Sequence, residues 1–313
     1  MADLAHEGLP TGKSPGPRED AGVTCVVVVN PTKVGPDQYP VLERALVHEG
    51  VTAVKFDETT AEDAGVGQSR AAVEAGADLV LAWGGDGTVK ACVTGMAGSD
   101  VPLAIIPGGT GNLLARNLDI PLGLADSAHV AVHGTRRRID LGAVGDERFA
   151  VMAGIGFDAA MLRDTSEQAK ARVGPAAYVA SGLSNLPKRG FDCTLTVDDQ
   201  PPRRSRARTV LVGNVGKLQG GLPLLPYAVP DDGWLDVVVI KPRATVEWIA
   251  VAWRVAIRRP HPRHMDTMRG RRVLVESNTP QPYELDGDVR GETTRMLVQI
   301  EPGAVVICVP SVK

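Results

Sequence analysis

The 313-residue chain reads as α/β plus β, an N-terminal doubly wound α/β domain followed by a C-terminal antiparallel β-sandwich domain. Three observations predict this. From Cys25 to Leu118, short apolar runs alternate with helically spaced ones, the pattern of a parallel sheet covered on both faces. After Ile139 the pattern changes to short strand-like runs separated by glycines, prolines and polar turns. Four polar loops in the first half fall where strands end, the edge at which such sheets bind ligands. The expected organisation is a disordered tail over 1–22, a first domain over 23–138 rejoined by 302–313, and a second domain over 139–301.

The elements follow in order. Met1 to Gly22 has no apolar core and is rich in Gly, Pro and charge, so it is read as a tail and not as a signal peptide. Cys25 to Val29 is a β-branched run closed by Asn30-Pro31-Thr32. Gln38 to Glu49 carries Val41, Leu42, Ala45 and Leu46 at helical spacing. Val51 to Phe56 is a strand that leads to Thr59-Thr60, and Ala61 to Ala75 is a second helix. Asp78 to Trp83 is a third strand, and Val101 to Ile106 a fourth. Helices are expected over Leu113 to Leu118 and Ala125 to Val132. Arg136-Arg137-Arg138 reads as the solvated end of the latter, where basic side chains suit the helix dipole.

Gly84-Gly85-Asp86-Gly87-Thr88 joins the third strand to a helix that continues through Val89, Cys92, Val93 and Met96. Glycines let backbone approach a ligand closely, and free N–H groups at a helix start bind phosphate. Asp86 beside them suits a magnesium ion, while a plain turn with a capping acid fits the same residues. Pro107-Gly108-Gly109-Thr110-Gly111-Asn112 ends the fourth strand in a similar way. Together with Asn30-Pro31-Thr32 and Thr59-Thr60, these loops favour a nucleotide site over four separate turns.

Other classes are excluded or disfavoured. There is no P-loop motif, no protein-kinase glycine loop with its partners, and no dinucleotide fingerprint after the first strand. A net charge of −3 and 4% aromatic residues argue against a nucleic-acid partner. Cys25, Cys92, Cys193 and Cys308 are scattered without metal-ligand spacing and read as reduced core thiols of a cytoplasmic protein. No apolar run is long enough to span a bilayer. Oligomeric state leaves no signal in the sequence.

The order V-V-N-P-T, T-T, G-G-D-G-T and P-G-G-T-G-N-L-L-A-R resembles the diacylglycerol kinase catalytic family, which includes bacterial lipid kinases and sphingosine and ceramide kinases. G-G-D-G-T alone is also similar to NAD kinases and phosphofructokinases; G-T-G-N followed by Ala115-Arg116 separates them. The resemblance implies an ATP site lined by Asn30, Thr32, Thr60, Gly84, Gly85, Asp86, Gly87, Thr88 and Thr110. The chain departs from many relatives in having Leu113 where they carry an acid.

In the second half, short runs at Arg148 to Ala153, Cys193 to Val197, Thr209 to Asn214, Asp236 to Ile240, Arg272 to Glu276 and Met296 to Ile300 suit a sandwich, with Ala304 to Val309 returning to the first domain. Helix-like stretches are expected over Ala169 to Leu186 and Thr245 to Arg259. Asp231-Asp232-Gly233 reads as a hairpin turn or as a cation-holding acid cluster. Within the family resemblance, following Gly220-Gly221-Leu222, it implies a structural Mg2+ held by Asp232 with the carbonyls of Val229 and Trp234. Asp286-Gly287-Asp288 is by itself a turn. The resemblance implies that Asp286 is the proton acceptor, with Asp288 replacing the usual glutamate.

The activity so implied is ATP- and Mg2+-dependent phosphorylation of diacylglycerol or a related lipid alcohol. Alternatives are a sphingoid lipid or NAD as acceptor, or a nucleotide sensor without transfer. A lipid acceptor implies transient contact with a membrane surface, at the inner membrane face. Trp248, Ile249, Ala252, Trp253 and Ala256 beside Arg254, Arg258 and Arg259 form a basic amphipathic stretch suited to it, or a helix packed on its own sheet.

Overall fold

The computed structural model describes residues 23–156, 190–216, 225, 227–241 and 265–311. The helices expected over Ala169 to Leu186 and Thr245 to Arg259, and the stretch beginning Gly220-Gly221-Leu222, lie outside or largely outside the described residues.

Four apolar runs form parallel strands: β1 (Val23–Val29), β2 (Val51–Glu58), β3 (Leu79–Gly84) and β4 (Leu103–Pro107), in the spatial order β2-β1-β3-β4. Their side chains alternate between two cores, the consequence of a two-residue period in a sheet covered on both sides. Cys25, Val27, Val29, Leu79, Leu81 and Trp83 pack with Leu42 and Leu46 of α1 (Tyr39–His48) and Ala128 and Ala131 of α5 (Leu124–His133). Val26, Val28, Val80 and Ala82 face the opposite side, with Ala72 of α2 (Val66–Glu74), Val89 and Cys92 of α3 (Asp86–Met96), and Leu114 of α4 (Leu113–Asn117). This is the doubly wound arrangement the alternation predicted.

Two expectations shift. The second helix starts at Val66 instead of Ala61, because Gly65 has φ 132° and Asp63 accepts the N–H groups of Gly65 and Gly67. Ala61 to Asp63 are a turn instead, drawn tight by the Thr60 hydroxyl. The arginine run is not a helix end. It opens β5 (Thr135–Val144), which pairs antiparallel with the last strand. Arg136 does donate to the carbonyls of Val132 and Gly134, so one arginine serves the helix terminus as expected. Arg137 and Arg138 reach Asp231 and Asp100.

The second half is antiparallel: β6 (Glu147–Phe149), β7 (Met152–Ile155), β8 (Phe191–Val197), β9 (Arg203–Ala207), β10 (Thr209–Gly213), β11 (Leu235–Ile240), β12 (Met265–Gly270), β13 (Arg272–Leu285) and β14 (Asp288–Val309). Phe149, Leu195, Val212, Val237, Val273, Val275 and Val298 fill its core. β9 and β12 escaped the sequence reading, since Arg203 to Ala207 and Met265 to Gly270 carry mostly polar, outward-facing residues.

β14 ties the halves together. Its first part pairs with β13, and its last part pairs with β5 and, in parallel, with β4. The bend between Glu301 and Val305 is held by Asp140, buried in β5, whose carboxylate accepts the N–H groups of Gly303 and Gly233. The apolar core runs on from the first half through Ile139, Ala150 and Met152 to Val305 and Ile307. All four cysteines are buried free thiols, and burial pushes their pKa values up to about 11 or 12.

Candidate active site

The two glycine loops touch. Gly108 donates its N–H to the Gly84 carbonyl at 2.8 Å. A Cβ on Gly109 would lie 2.7 Å from the Gly85 Cα, and one on Gly84 would lie 2.6 Å from the Thr88 hydroxyl. Only glycine permits these approaches. Gly85 is the N-cap of α3 and supplies no side chain to its first N–H groups, so this terminus presents donors to an anion. Gly87 is exposed at its first turn, and Thr88 is buried.

The second loop works differently from the first. The Gly108 N–H is committed to Gly84, and that of Gly109 to the Asn112 side chain at 3.1 Å. Asn112 has φ 49° and bonds back to the Gly109 carbonyl. The loop therefore braces the first one, leaving Thr110 exposed at its tip. Asp86 joins them, accepting the N–H groups of Asn112 at 3.0 Å and Leu113 at 2.5 Å. Its carboxylate caps α4 across the site, and burial raises its pKa against those donors.

The remaining predicted nucleotide residues flank this pair. Asn30 ends β1, its Oδ1 accepts both the N–H and the hydroxyl of Thr32, and its amide lies 3.4 Å from the Thr88 hydroxyl. Thr60 is exposed at the end of β2, with its hydroxyl engaged by Glu62 and Asp63. All the predicted nucleotide residues thus lie at or just beyond the C-terminal ends of β1 to β4.

Asp286 comes from the hairpin turn between β13 and β14 and has φ 52°, a left-handed conformation uncommon outside glycine. Three backbone donors fix it: Ala150 to Oδ2, and Val151 and Met152 to Oδ1, each at 2.9 Å. One small pocket is lined by Asp86, Val89, Lys90, Leu113, Leu114, Ala150, Val151 and Asp286, which brings the predicted phosphate side and the predicted acceptor side together. Burial raises the Asp286 pKa; the backbone donors and Lys90 oppose it.

Two residues here escaped the sequence reading. Lys90 is buried, projects from α3 and donates to the Leu285 carbonyl at 3.1 Å, with Asp288 at 3.7 Å. Burial lowers its pKa, and the charge of Asp286 raises it. A lysine inside the apolar run Val89 to Val93 was the available signal, because lysines are seldom buried without a partner. Glu284, two residues before Asp286, is fully buried, accepts the Gly287 N–H at 2.6 Å and has an unpartnered Oε1; burial pushes its pKa up to about 8. It follows Tyr283 in a strand, and nothing in the pattern marked it as interior.

The Asp231-Asp232-Gly233 turn does not present the expected cation site. One Asp232 oxygen accepts the Trp234 N–H at 3.0 Å, and the other pairs with Arg269. Arg269 also lies 3.4 Å from buried Asp236, and Arg271 stacks over the Trp234 ring at 4.8 Å. A guanidinium balances the charge a magnesium ion would take.

Comparison with known proteins agrees with this fold class. A family model described as the diacylglycerol kinase catalytic domain matches residues 24–144, and one described as a YegS C-terminal NAD kinase beta sandwich-like domain matches 150–309. The chain belongs to the diacylglycerol kinase catalytic family. A diacylglycerol kinase of Staphylococcus epidermidis is 26% identical over 288 residues, covering 88% of this chain and 89% of its own. One from Bacillus subtilis is 31% identical over 220 residues, covering 68% and 72%. A crystal structure of a diacylglycerol kinase from Bacillus anthracis shares the fold with a TM-score of 0.72 at 21% identity, over 93% of this chain and 98% of the other. Membership of this kinase family supports a phosphotransferase and implies ATP as donor. Among the described residues, no helix is long and apolar enough to cross a membrane.

Proposed function

We propose that the chain transfers the γ-phosphate of ATP to the hydroxyl of diacylglycerol or a related lipid alcohol. One observation carries the reading: Asp286 of the second half and Asp86 of the glycine loops line a single pocket. The relatives named diacylglycerol kinase supply the acceptor class.

Each group has a part. The open N-terminus of α3 holds the terminal phosphates, and the second loop keeps the first in shape. Asp286 takes the acceptor's proton at Oδ2, which accepts one backbone N–H, whereas Oδ1 accepts two. As the alcohol oxygen bonds to the γ-phosphorus, the bond to the ADP oxygen breaks and the proton moves to Asp286. Lys90 anchors the turn that carries Asp286 and keeps positive charge beside it. The Asp86 carboxylate accepts the Asn112 and Leu113 N–H groups on different oxygens, and carboxylate oxygens are the donors magnesium prefers. When bound, that ion would neutralise phosphate charge.

The test is labelled ATP and magnesium with diacylglycerol, a sphingoid base and NAD, the lipids in mixed micelles. The expected result is labelled phosphate on diacylglycerol. ATP binding without label on any acceptor would favour a nucleotide sensor, and label on NAD alone would replace the lipid reading.

A further inference from the structure

Away from the nucleotide loops, three ligand groups converge on one point of the surface. Glu49 is the C-cap of α1, two residues before β2 begins, at the edge of the parallel sheet opposite the glycine loops. Its Oε2 lies 2.9 Å from His129 Nδ1 and 3.0 Å from His133 Nε2. The histidines stand one turn apart on α5, where residues four apart share a face, and their ring centroids are 4.9 Å apart. All three ligand atoms lie within 4.8 Å of one another.

We infer that Glu49, His129 and His133 form a binding site for a divalent transition metal of the zinc type. Two imidazole nitrogens and one carboxylate oxygen are the donors zinc accepts, and a histidine pair one helical turn apart is a recurrent way of supplying them. Magnesium and calcium prefer all-oxygen sets, so this site selects against the ion the kinase chemistry uses. With metal–ligand bonds of about 2.0–2.2 Å, tetrahedral ligand atoms sit roughly 3.4 Å apart, within reach of these side chains by small rotations. His129 and His133 are 62% and 49% exposed, so metal has access and water completes the coordination. Because Glu49 belongs to α1 and the histidines to α5, the ion would clamp the two helices that cover one face of the sheet.

The experiment uses the full chain without any affinity tag, titrated with zinc chloride by calorimetry and melted with and without zinc. The expected result is one zinc per chain with a Kd below about 10 μM and a zinc-dependent rise in Tm. His129→Ala and His133→Ala should each weaken binding at least about tenfold and abolish the Tm rise, and Glu49→Gln should weaken it less. Melts without zinc check that the variants fold, and their other histidines remain as internal controls. A wild-type Kd above about 100 μM, or binding unchanged in both histidine variants, would overturn the site.

Discussion

Two aspartate-glycine turns look alike in the sequence and behave differently in the fold. Asp231-Asp232-Gly233 leads into β11 and Asp286-Gly287-Asp288 joins β13 to β14, and both were read as carrying chemistry. In the first, the acids meet guanidinium groups near the surface: Arg137 takes Asp231 and Arg269 takes Asp232. In the second, the first acid is held by three backbone N–H groups, and the opposing cation is a buried lysine from the other half of the chain. An acid paired with a solvated arginine is electrically complete. An acid fixed by backbone dipoles beside a buried ammonium, and lining a pocket, suits the proposed role of proton acceptor.

The largest effect should come from Asp286→Asn. We expect transfer to fall by about 10²-fold or more, the usual contribution of a general base, with ATP binding retained. The amide would set its NH2 against a backbone N–H, costing about 1–3 kcal/mol of stability, so melts must accompany the assay. An Asn variant with wild-type turnover would remove the contrast between the turns.

Lys90→Met should come next, lowering kcat about tenfold and moving its acid limb. The Asp286 carboxyl is already raised, so the ionised base is lost as pH falls through that raised value. Removing Lys90 deletes a lowering influence, so the limb should shift to higher pH, with the KM for ATP little changed. A uniform loss at all pH values would reduce Lys90 to a structural role.

Asp232→Asn should do least. The pair with Arg269 is partly exposed on both sides and is worth about 0–1 kcal/mol. Transfer should stay at the wild-type level. A magnesium-dependent Tm in the wild type that disappears in Asp232→Asn would restore the cation reading and make the turns functionally alike again.

The parallel half was legible because its signals are local. Buried strands read as continuous apolar runs, and the glycine turns must sit where those runs stop. That carried all nine predicted nucleotide residues to one edge of the sheet. The antiparallel half was legible in class and only partly in its strands. β9 and β12 hide because an exposed strand face carries the same polar residues as a loop.

By itself, the sequence determined the doubly wound sheet, the four polar loops at its ligand edge and the candidate status of Asp86 and Asp286. The sheet and its loops follow from periodicity and from the conformational demands of glycine, properties of neighbouring residues, while the standing of Asp286 came from the family resemblance. Tertiary structure alone decided that the second loop braces the first, that Asp86 caps a helix 26 residues downstream, and that Lys90 reaches a carbonyl 195 residues away. It also decided which of the two similar turns is balanced by arginine. The physical reason is that desolvation and charge pairing depend on what lies within a few ångströms in space, and a linear pattern does not encode those distances.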